Sequence, residues 1–173
     1  MQLYIMRHGE AQNPVSHSQT NDSERELTKQ GQFEAQLMES WLTKMKIEVG
    51  QIWVSPFIRA QQTCELVSKN LGVKAQTLSF ITPAGDAKQV HDYIDGVIVG
   101  QLESMSENVN ETELEALLIV SHMPLVSYLV AELTNYQDSP IFATAAIAEI
   151  DYDIKSMQGR LVRLISPLDL CEQ

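Results

Sequence analysis

The chain has 173 residues, a length typical of one compact domain, since domains average roughly 150 residues. Hydrophobic residues make up 44% of it and charged residues 20%, which supplies enough apolar material for a buried core and excludes disordered and fibrous proteins. Its 12 lysines and arginines stand against 23 aspartates and glutamates, and the resulting net charge of −11 argues against a nucleic-acid partner.

The N-terminus and the apolar segments predict a cytoplasmic protein without a membrane span. The apolar run from Met1 to Met6 ends at Arg7 and lacks both the basic flank and the cleavage site of a signal peptide. No stretch reaches the roughly 18 apolar residues that a spanning helix needs. The two cysteines, Cys64 and Cys171, form no CxxC pair, so we expect no disulfide framework.

Short apolar runs alternate with amphipathic patterns in the first part of the chain. Leu3 to Met6 is consistent with a buried strand, and the polar segment from Glu10 to Glu26 predicts a surface loop. Thr28 is positioned to cap the helix that follows. The apolar stripe of this helix, predicted to lie in the core, consists of Phe33, Leu37 and Trp41.

The same alternation continues after residue 50. Ile52 to Val54 predicts a second strand, and the pattern from Phe57 predicts a helix that ends with a C-terminal cap at Gly72. Val73 to Phe80 is a weaker strand candidate. Asp86 is positioned to cap a further helix, in which two glycines favour an early end.

The last part of the chain predicts the centre and one edge of the sheet. The acidic segment from Glu103 to Glu115 is predicted to be a solvated loop. Leu117 to Val120 follows as a buried strand, and Pro124 is the first residue of the next helix. Two late strands, Ala146 to Tyr152 and Leu161 to Ile165, predict an antiparallel hairpin at a sheet edge. Together the elements predict an α/β domain with a mainly parallel, helix-covered sheet.

Polar and cationic residues follow three of the predicted strands. Arg7 and His8 follow the first strand, Arg59 lies one turn into the helix after the second, and His122 follows the late strand. Because ligands bind beyond the carboxyl ends of parallel strands, these residues are expected to converge. Two guanidinium forks beside imidazoles suit a tetrahedral dianion, and phosphate is the expected ligand. His8 is the strongest candidate nucleophile, since Ser55 lacks an evident base.

These motifs resemble the signature segments of the histidine phosphatase superfamily, which has the phosphoglycerate mutase-like fold. The matching segments are Arg7-His8-Gly9-Glu10, Ser55 to Thr63, and Val120-Ser121-His122. Further segments, Leu27 to Gly31 and Thr82 to Asp86, are similar to the SixA-type phosphohistidine phosphatases within that superfamily. The resemblance implies one histidine phosphatase domain over residues 1–173, with three α/β/α layers.

The resemblance also implies a role for each residue of the predicted site. His8 would accept the phosphoryl group, while Arg7, Arg59 and His122 would bind the phosphoryl oxygens and stabilise the transition state. No metal and no other cofactor is expected, because the arginines supply the positive charge that a magnesium ion would supply.

Two departures from the family pattern concern the phosphate contacts. Larger members have an asparagine where this chain has Pro14, and a glycine where it has Met123. A neutral contact to phosphate is therefore either missing or made by another residue, with Ser16 and Gln19 as candidates.

A third departure concerns the general acid. Family members that cleave phosphate esters carry a glutamate or aspartate in the segment that corresponds to Phe80 to Pro83, where this chain has none. The nearest acid is Asp86, which we interpret as a helix cap. Without an acid to protonate the leaving alkoxide, an ester should react roughly 10²–10⁴-fold more slowly. The imidazole of a phosphohistidine, with an ordinary pKa of about 6.5, leaves more easily.

The leading hypothesis is therefore a phosphohistidine protein phosphatase that acts through a covalent phospho-His8 intermediate. Its expected partner is a histidine-containing phosphotransfer domain of a phosphorelay or a related phosphocarrier protein, and the chain itself is expected to be a monomer. One alternative is a small-molecule phosphomonoesterase or mutase of the same superfamily, against which the missing acid argues. Another is a noncatalytic module that binds phosphohistidine proteins, against which the intact nucleophile argues.

Overall fold

The computed structural model describes residues 1–13, 21–107 and 115–171, which form a six-stranded sheet with helices on both faces. A short 3-10 turn, Asp22–Glu24, lies in the segment before the first helix. The elements in chain order are β1 (Gln2–Arg7), α1 (Lys29–Lys44), β2 (Gln51–Val54), α2 (Ile58–Val67), β3 (Ala75–Thr77), α3 (Ala87–Glu107), β4 (Ala116–Ser121), α4 (Leu125–Leu133), β5 (Ile147–Asp153), β6 (Gln158–Ile165) and α5 (Pro167–Cys171).

The sheet has the strand order β3-β2-β4-β1-β5-β6. The first four strands of this order run parallel, and β5 pairs antiparallel with both β1 and β6. The predicted α/β class is confirmed, and so is the antiparallel hairpin that ends in an edge strand, β6. The topology places β1, β4 and β2 side by side, although long segments of chain separate them.

Side chains of β1 alternate between two cores, one on each face of the sheet. Leu3 and Ile5 pack with residues of α3 and α4, whereas Tyr4 and Met6 pack with residues of α1 and α2. All six residues of β4 are buried, as a strand between two helical layers requires. The three α/β/α layers are thus a direct result of the period-two pattern of these strands.

Helix α1 is rotated relative to the prediction from its apolar stripe. Thr28 caps the helix as predicted, because its Oγ1 accepts the N–H of Gly31 at 3.0 Å. Gly31 faces the backbone of the loop after β1, and Phe33, two positions on, therefore points away from it and is 50% exposed. Placing Phe33 in the core was wrong, whereas Trp41 is buried. The buried face consists of Gly31, Glu34, Ala35, Met38, Trp41 and Leu42.

Other elements also differ in extent from the predictions. Helix α3 passes through both of its glycines and reaches Glu107, so the start of the predicted acidic loop is helical. Burial of an apolar face against the sheet, which includes Val90, Ile94 and Ile98, offsets the low helix propensity of glycine. Strand β3 is confined to three residues, and α2 ends at Val67, five residues before the predicted cap.

Among the described helices, none has both the length and the apolarity to cross a bilayer.

Candidate active site

The parallel register brings the ends of three strands to the same level. Arg7 at the end of β1 lies opposite Ser121 on β4, and the N–H of His8 donates to the Ser121 carbonyl at 2.9 Å. On the other side of β4, the N–H of Ser55 donates to the Val120 carbonyl at 3.1 Å. The segments that follow β1, β2 and β4 therefore leave the sheet side by side, as predicted from the sequence.

The imidazole of His8 is held in one tautomer. Its Nε2 accepts a hydrogen bond from Nε of Arg59 at 3.1 Å, and its Nδ1 lies 2.7 Å from the carbonyl oxygen of Gly9. A guanidinium can only donate, so the proton of the neutral ring lies on Nδ1. Burial, reinforced by the charges of Arg59 and Arg7, lowers the pKa of His8 to about 4. At neutral pH the ring is uncharged and its Nε2 carries a lone pair.

The loop that presents this ring is fixed by close backbone packing. The N–H of Gly9 donates to Oγ1 of Thr63 at 3.1 Å, and Thr63 in turn donates to the carbonyl of Arg59 at 2.7 Å. A Cβ atom on Gly9 would lie 2.5 Å from the carbonyl oxygen of Gly31, and one on Gly31 would lie 2.0 Å from that of Glu10. Two glycines are thus required for α1 to approach this loop.

His122 lies beside His8 and is 1% exposed. The centroids of the two rings are 5.0 Å apart, and Phe57 packs edge-on against His122 at the same centroid distance. Nε2 of His122 lies 2.7 Å from the hydroxyl oxygen of Ser55. Burial, followed by the nearby His8 and Arg59, lowers the pKa of His122 to about 2, so this ring is also neutral.

Two buried nitrogens of the cluster have no hydrogen-bond partner among the described residues. They are Nε of Arg7 and Nδ1 of His122. Arg7 is otherwise fixed by a 2.7 Å hydrogen bond from Nη1 to the carbonyl of Phe142. Buried polar groups in proteins are nearly always satisfied, so two unpaired groups in one cluster indicate a site for a ligand with oxygen acceptors.

Asp22 and Arg25 belong to the same cluster, although neither was predicted from the sequence. Arg59 donates from Nη1 to the Asp22 carbonyl at 2.6 Å and from Nη2 to the Asp22 carboxylate at 3.0 Å. Arg25 donates to the other carboxylate oxygen at 2.9 Å. Although partial burial opposes it, the hydrogen bonds from Arg25 and Arg59 hold the pKa of Asp22 below its usual value. The signal available in the sequence was Arg25 itself, since the chain has only five arginines and two of them were already assigned to the site.

The structure brings together all four predicted residues, Arg7, His8, Arg59 and His122. Two further acids have structural roles: Asp86 accepts the N–H of Lys88 at 2.9 Å as the cap of α3, and Glu10 accepts the hydroxyl of Thr28 at 2.6 Å. Three residues considered for the phosphate contact lie outside the described residues, namely Pro14, Ser16 and Gln19. Within residues 1–13, 21–107 and 115–171, no three histidine, cysteine or acidic side chains are grouped to hold a metal.

The chain is similar in sequence to known proteins. Residues 3–81 match the family model of the histidine phosphatase superfamily, branch 1. The chain is 39% identical to the phosphohistidine phosphatase SixA of Escherichia coli over 98% of this chain and 96% of that protein. It is 34% identical to a SixA homologue of Haemophilus influenzae over 88% of this chain and 89% of that protein.

The similarity extends to three dimensions. The solved structure of the protein histidine phosphatase SixA complexed with tungstate superposes with a TM-score of 0.83 at 38% identity. The match covers 98% of this chain and 99% of that one. The chain therefore belongs to the histidine phosphatase superfamily, as a hydrolase similar to SixA.

Proposed function

We propose that this protein is a phosphohistidine phosphatase that dephosphorylates a histidine-containing phosphotransfer domain or a related phosphocarrier protein, with His8 as the phosphoryl acceptor. The observation that carries the proposal is the uncharged His8 ring, whose Nε2 lone pair faces a guanidinium. The names of the two relatives, a phosphohistidine phosphatase SixA and a phosphohistidine phosphatase SixA homologue, support phosphohistidine as the substrate class.

Three side chains around His8 have the chemistry to hold a phosphoryl group. Arg7 has an unpaired Nε, Arg59 directs its Nε–H at His8, and His122 has a ring nitrogen without a partner among the described residues. The tungstate complex of SixA shows that a similar protein binds a tetrahedral oxyanion. In our proposal, the phosphoryl oxygens take the two unpaired donors and the Nε–H of Arg59, which frees Nε2 of His8.

In the first step, the Nε2 lone pair of His8 attacks phosphorus while the P–N bond to the partner histidine breaks. The bonding electrons return to the partner's imidazole, which leaves as a neutral ring because its second nitrogen carries a proton. The new phospho-His8 ring keeps its Nδ1 proton, which the Gly9 carbonyl accepts. The charges of Arg7 and Arg59 stabilise the oxygens throughout the transfer.

In the second step, water attacks the phosphorus of phospho-His8. The P–Nε2 bond breaks, its electron pair returns to the His8 ring, and a proton of the attacking water is lost to solvent or to the phosphate. Inorganic phosphate leaves, and His8 is again the neutral ring that begins the cycle. His122, held neutral by burial and by His8 and Arg59, contributes a hydrogen bond without changing its charge.

The acids of the site favour a P–N substrate over an ester. Asp22 is bound by two arginines, which keep it ionised, so it has no proton to give to a leaving alkoxide. Glu34, which is buried, already accepts the backbone N–H of Glu10 at 2.9 Å. A departing imidazole does not need such a proton donor, whereas the rate of ester cleavage would fall roughly 10²–10⁴-fold without one.

A single chain supplies every side chain of the proposed mechanism, so we propose that the protein acts as a monomer. We further propose that it acts in the cytoplasm, where phosphorelay domains and phosphocarriers are phosphorylated. The two thiols of Cys64 and Cys171 are unpaired, which suits a reducing compartment.

The test compares the purified protein with its His8→Ala variant on three substrates: a phosphorylated phosphotransfer domain, phosphoglycerate and an aryl phosphate. We expect phosphate release from the phosphoprotein, loss of that release in His8→Ala, and little release from the esters. Ester cleavage as fast as phosphoprotein cleavage would identify a phosphomonoesterase instead. Binding of the phosphoprotein without turnover by the intact chain would identify a binding module.

A further inference from the structure

Ser55 contacts the proposed phosphate-binding histidine from outside the phosphate site. It lies directly after β2 with an exposure of 0%, and its hydroxyl oxygen is 2.7 Å from Nε2 of His122. The N–H of Phe57 donates to the same hydroxyl oxygen at 3.4 Å. Among the described residues, the Ser55 hydroxyl proton has no acceptor other than Nε2 of His122.

This arrangement distinguishes the two tautomers of the His122 ring. If Nε2 carried the proton, it would donate to Ser55, and the buried hydroxyl proton of Ser55 would lack an acceptor. If Nε2 is unprotonated, Ser55 donates to it and every polar atom of Ser55 is satisfied. Because burial and the neighbouring charges keep the ring neutral, its one proton then lies on Nδ1.

The position of that proton decides whether His122 attracts or repels a phosphoryl group. Nδ1 of His122 is buried and has no partner among the described residues, as is also true of Nε of Arg7. An Nδ1–H group donates to an anionic oxygen, whereas an unprotonated Nδ1 would direct a lone pair at it. The same ring therefore either stabilises or opposes phosphate, according to its tautomer.

The geometry points to Ser55 as a positioning residue that selects the Nδ1–H tautomer of His122 and so makes this ring a hydrogen-bond donor to the phosphoryl group. Its catalytic consequence rests on the proposed function, but the tautomer itself is a property of the free protein. Ser55 thereby acts on the site through His122, in the way that the Arg59 donor and the Gly9 carbonyl acceptor together select the tautomer of His8.

The tautomer is measured directly by nitrogen NMR of protein labelled with ¹⁵N-histidine, using long-range proton–nitrogen correlation at neutral pH. We expect Nδ1 of His122 to have the shift of a protonated nitrogen and Nε2 that of an unprotonated one. Ser55→Ala should move both shifts towards an average of the two tautomers, and Ser55→Thr, which restores a hydroxyl, should return them. A protonated Nε2 in the wild-type protein would overturn the proposal without any variant having to fold.

A matched control is Ser121→Ala, since Ser121 is another buried serine at a strand end, whose hydroxyl donates to the Ile81 carbonyl at 2.9 Å. This variant should leave the His122 shifts in place, which separates a tautomer effect from general loosening. If Ser55→Ala leaves the shifts unchanged, Ser55 does not select the tautomer and the proposal fails.

Binding and turnover then measure the consequence of the tautomer. Because Ser55→Ala divides the ring between two tautomers and leaves a fraction of it as a donor, inorganic phosphate titrated by calorimetry should bind the variant roughly two- to fivefold more weakly than the wild type. The same loss of donor population predicts a fall in kcat/KM on a phosphoprotein of roughly two- to fivefold, well below the roughly 10²-fold that removal of the donor itself would cost. If the wild-type protein has the expected tautomer but does not turn over phosphohistidine, the proposed function fails and the assignment of Ser55 stands.

Discussion

Acidification is expected to destabilise the protein through His8. Burial, with the added effect of Arg59 and Arg7, lowers the pKa of His8 from 6.5 to about 4 in the folded state. As the pH falls below 6.5, the unfolded chain takes up a proton that the folded chain refuses until pH 4. The contribution of His8 to folding stability is therefore constant above neutral pH and is lost as the pH falls from 6.5 to about 4.

The magnitude follows from the size of the shift. Each unit of pKa difference corresponds to about 1.4 kcal/mol, so the full shift is worth roughly 3 kcal/mol, most of which is lost by about pH 4.5. Acidification also destabilises the protein through His122, because burial lowers the pKa of that ring too. This effect adds to the acid sensitivity of the protein.

The assay is urea unfolding of the wild-type protein and of His8→Gln at about pH 7 and about pH 4.5. Glutamine carries no titratable group, so the variant should lose roughly 2–3 kcal/mol less stability on acidification than the wild type does. His122 titrates in both proteins and cancels in this comparison. Equal losses in the two proteins, or an NMR titration of His8 with a midpoint near 6.5, would refute the reasoning.

Three further predictions concern packing and charge. Gly31→Ala should destabilise the protein by several kcal/mol, since its Cβ would lie 2.0 Å from a backbone oxygen. Gly96→Ala should instead stabilise α3 by about 0.5–1 kcal/mol, because a Cβ at that position meets nothing within 4 Å. Urea unfolding measures the stability of both variants. Met38→Ala should cost roughly 2–5 kcal/mol and the exposed Phe33→Ala less than about 1, and equal costs would contradict the observed rotation of α1. Arg59→Lys should lower kcat on a phosphoprotein by roughly 10²-fold, because an ammonium cannot replace a planar fork, and unchanged kcat would remove Arg59 from the mechanism.

Local patterns predicted the features that local chemistry controls. Thr28 and Asp86 cap helices because a short oxygen-bearing side chain satisfies nearby N–H groups whatever the rest of the fold does. The strands were predictable for a similar reason, since a run of apolar residues has to be buried. Helix α3 shows the limit of this reasoning, because packing against the sheet carried it past two glycines that favour an end.

The site was predictable only in part. Arg7 ends β1, and His8 and His122 directly follow strands, so their convergence required no more than parallel neighbours in the sheet. Asp22 and Arg25 lie in a polar segment without periodicity, and only the folded chain shows that they join the cluster through Arg59.

Consecutive residues were enough to predict which residue types gather at the carboxyl ends of the strands, because both an apolar strand and the residues that follow it can be recognised in a short segment. Only the folded chain fixes which nitrogen of His8 and of His122 holds the proton, since this depends on hydrogen-bond partners far away along the chain. For His8 the partner is Arg59, and for His122 it is Ser55, 67 positions earlier. Hydrogen bonds of this kind form only after the sheet has brought its strand ends together.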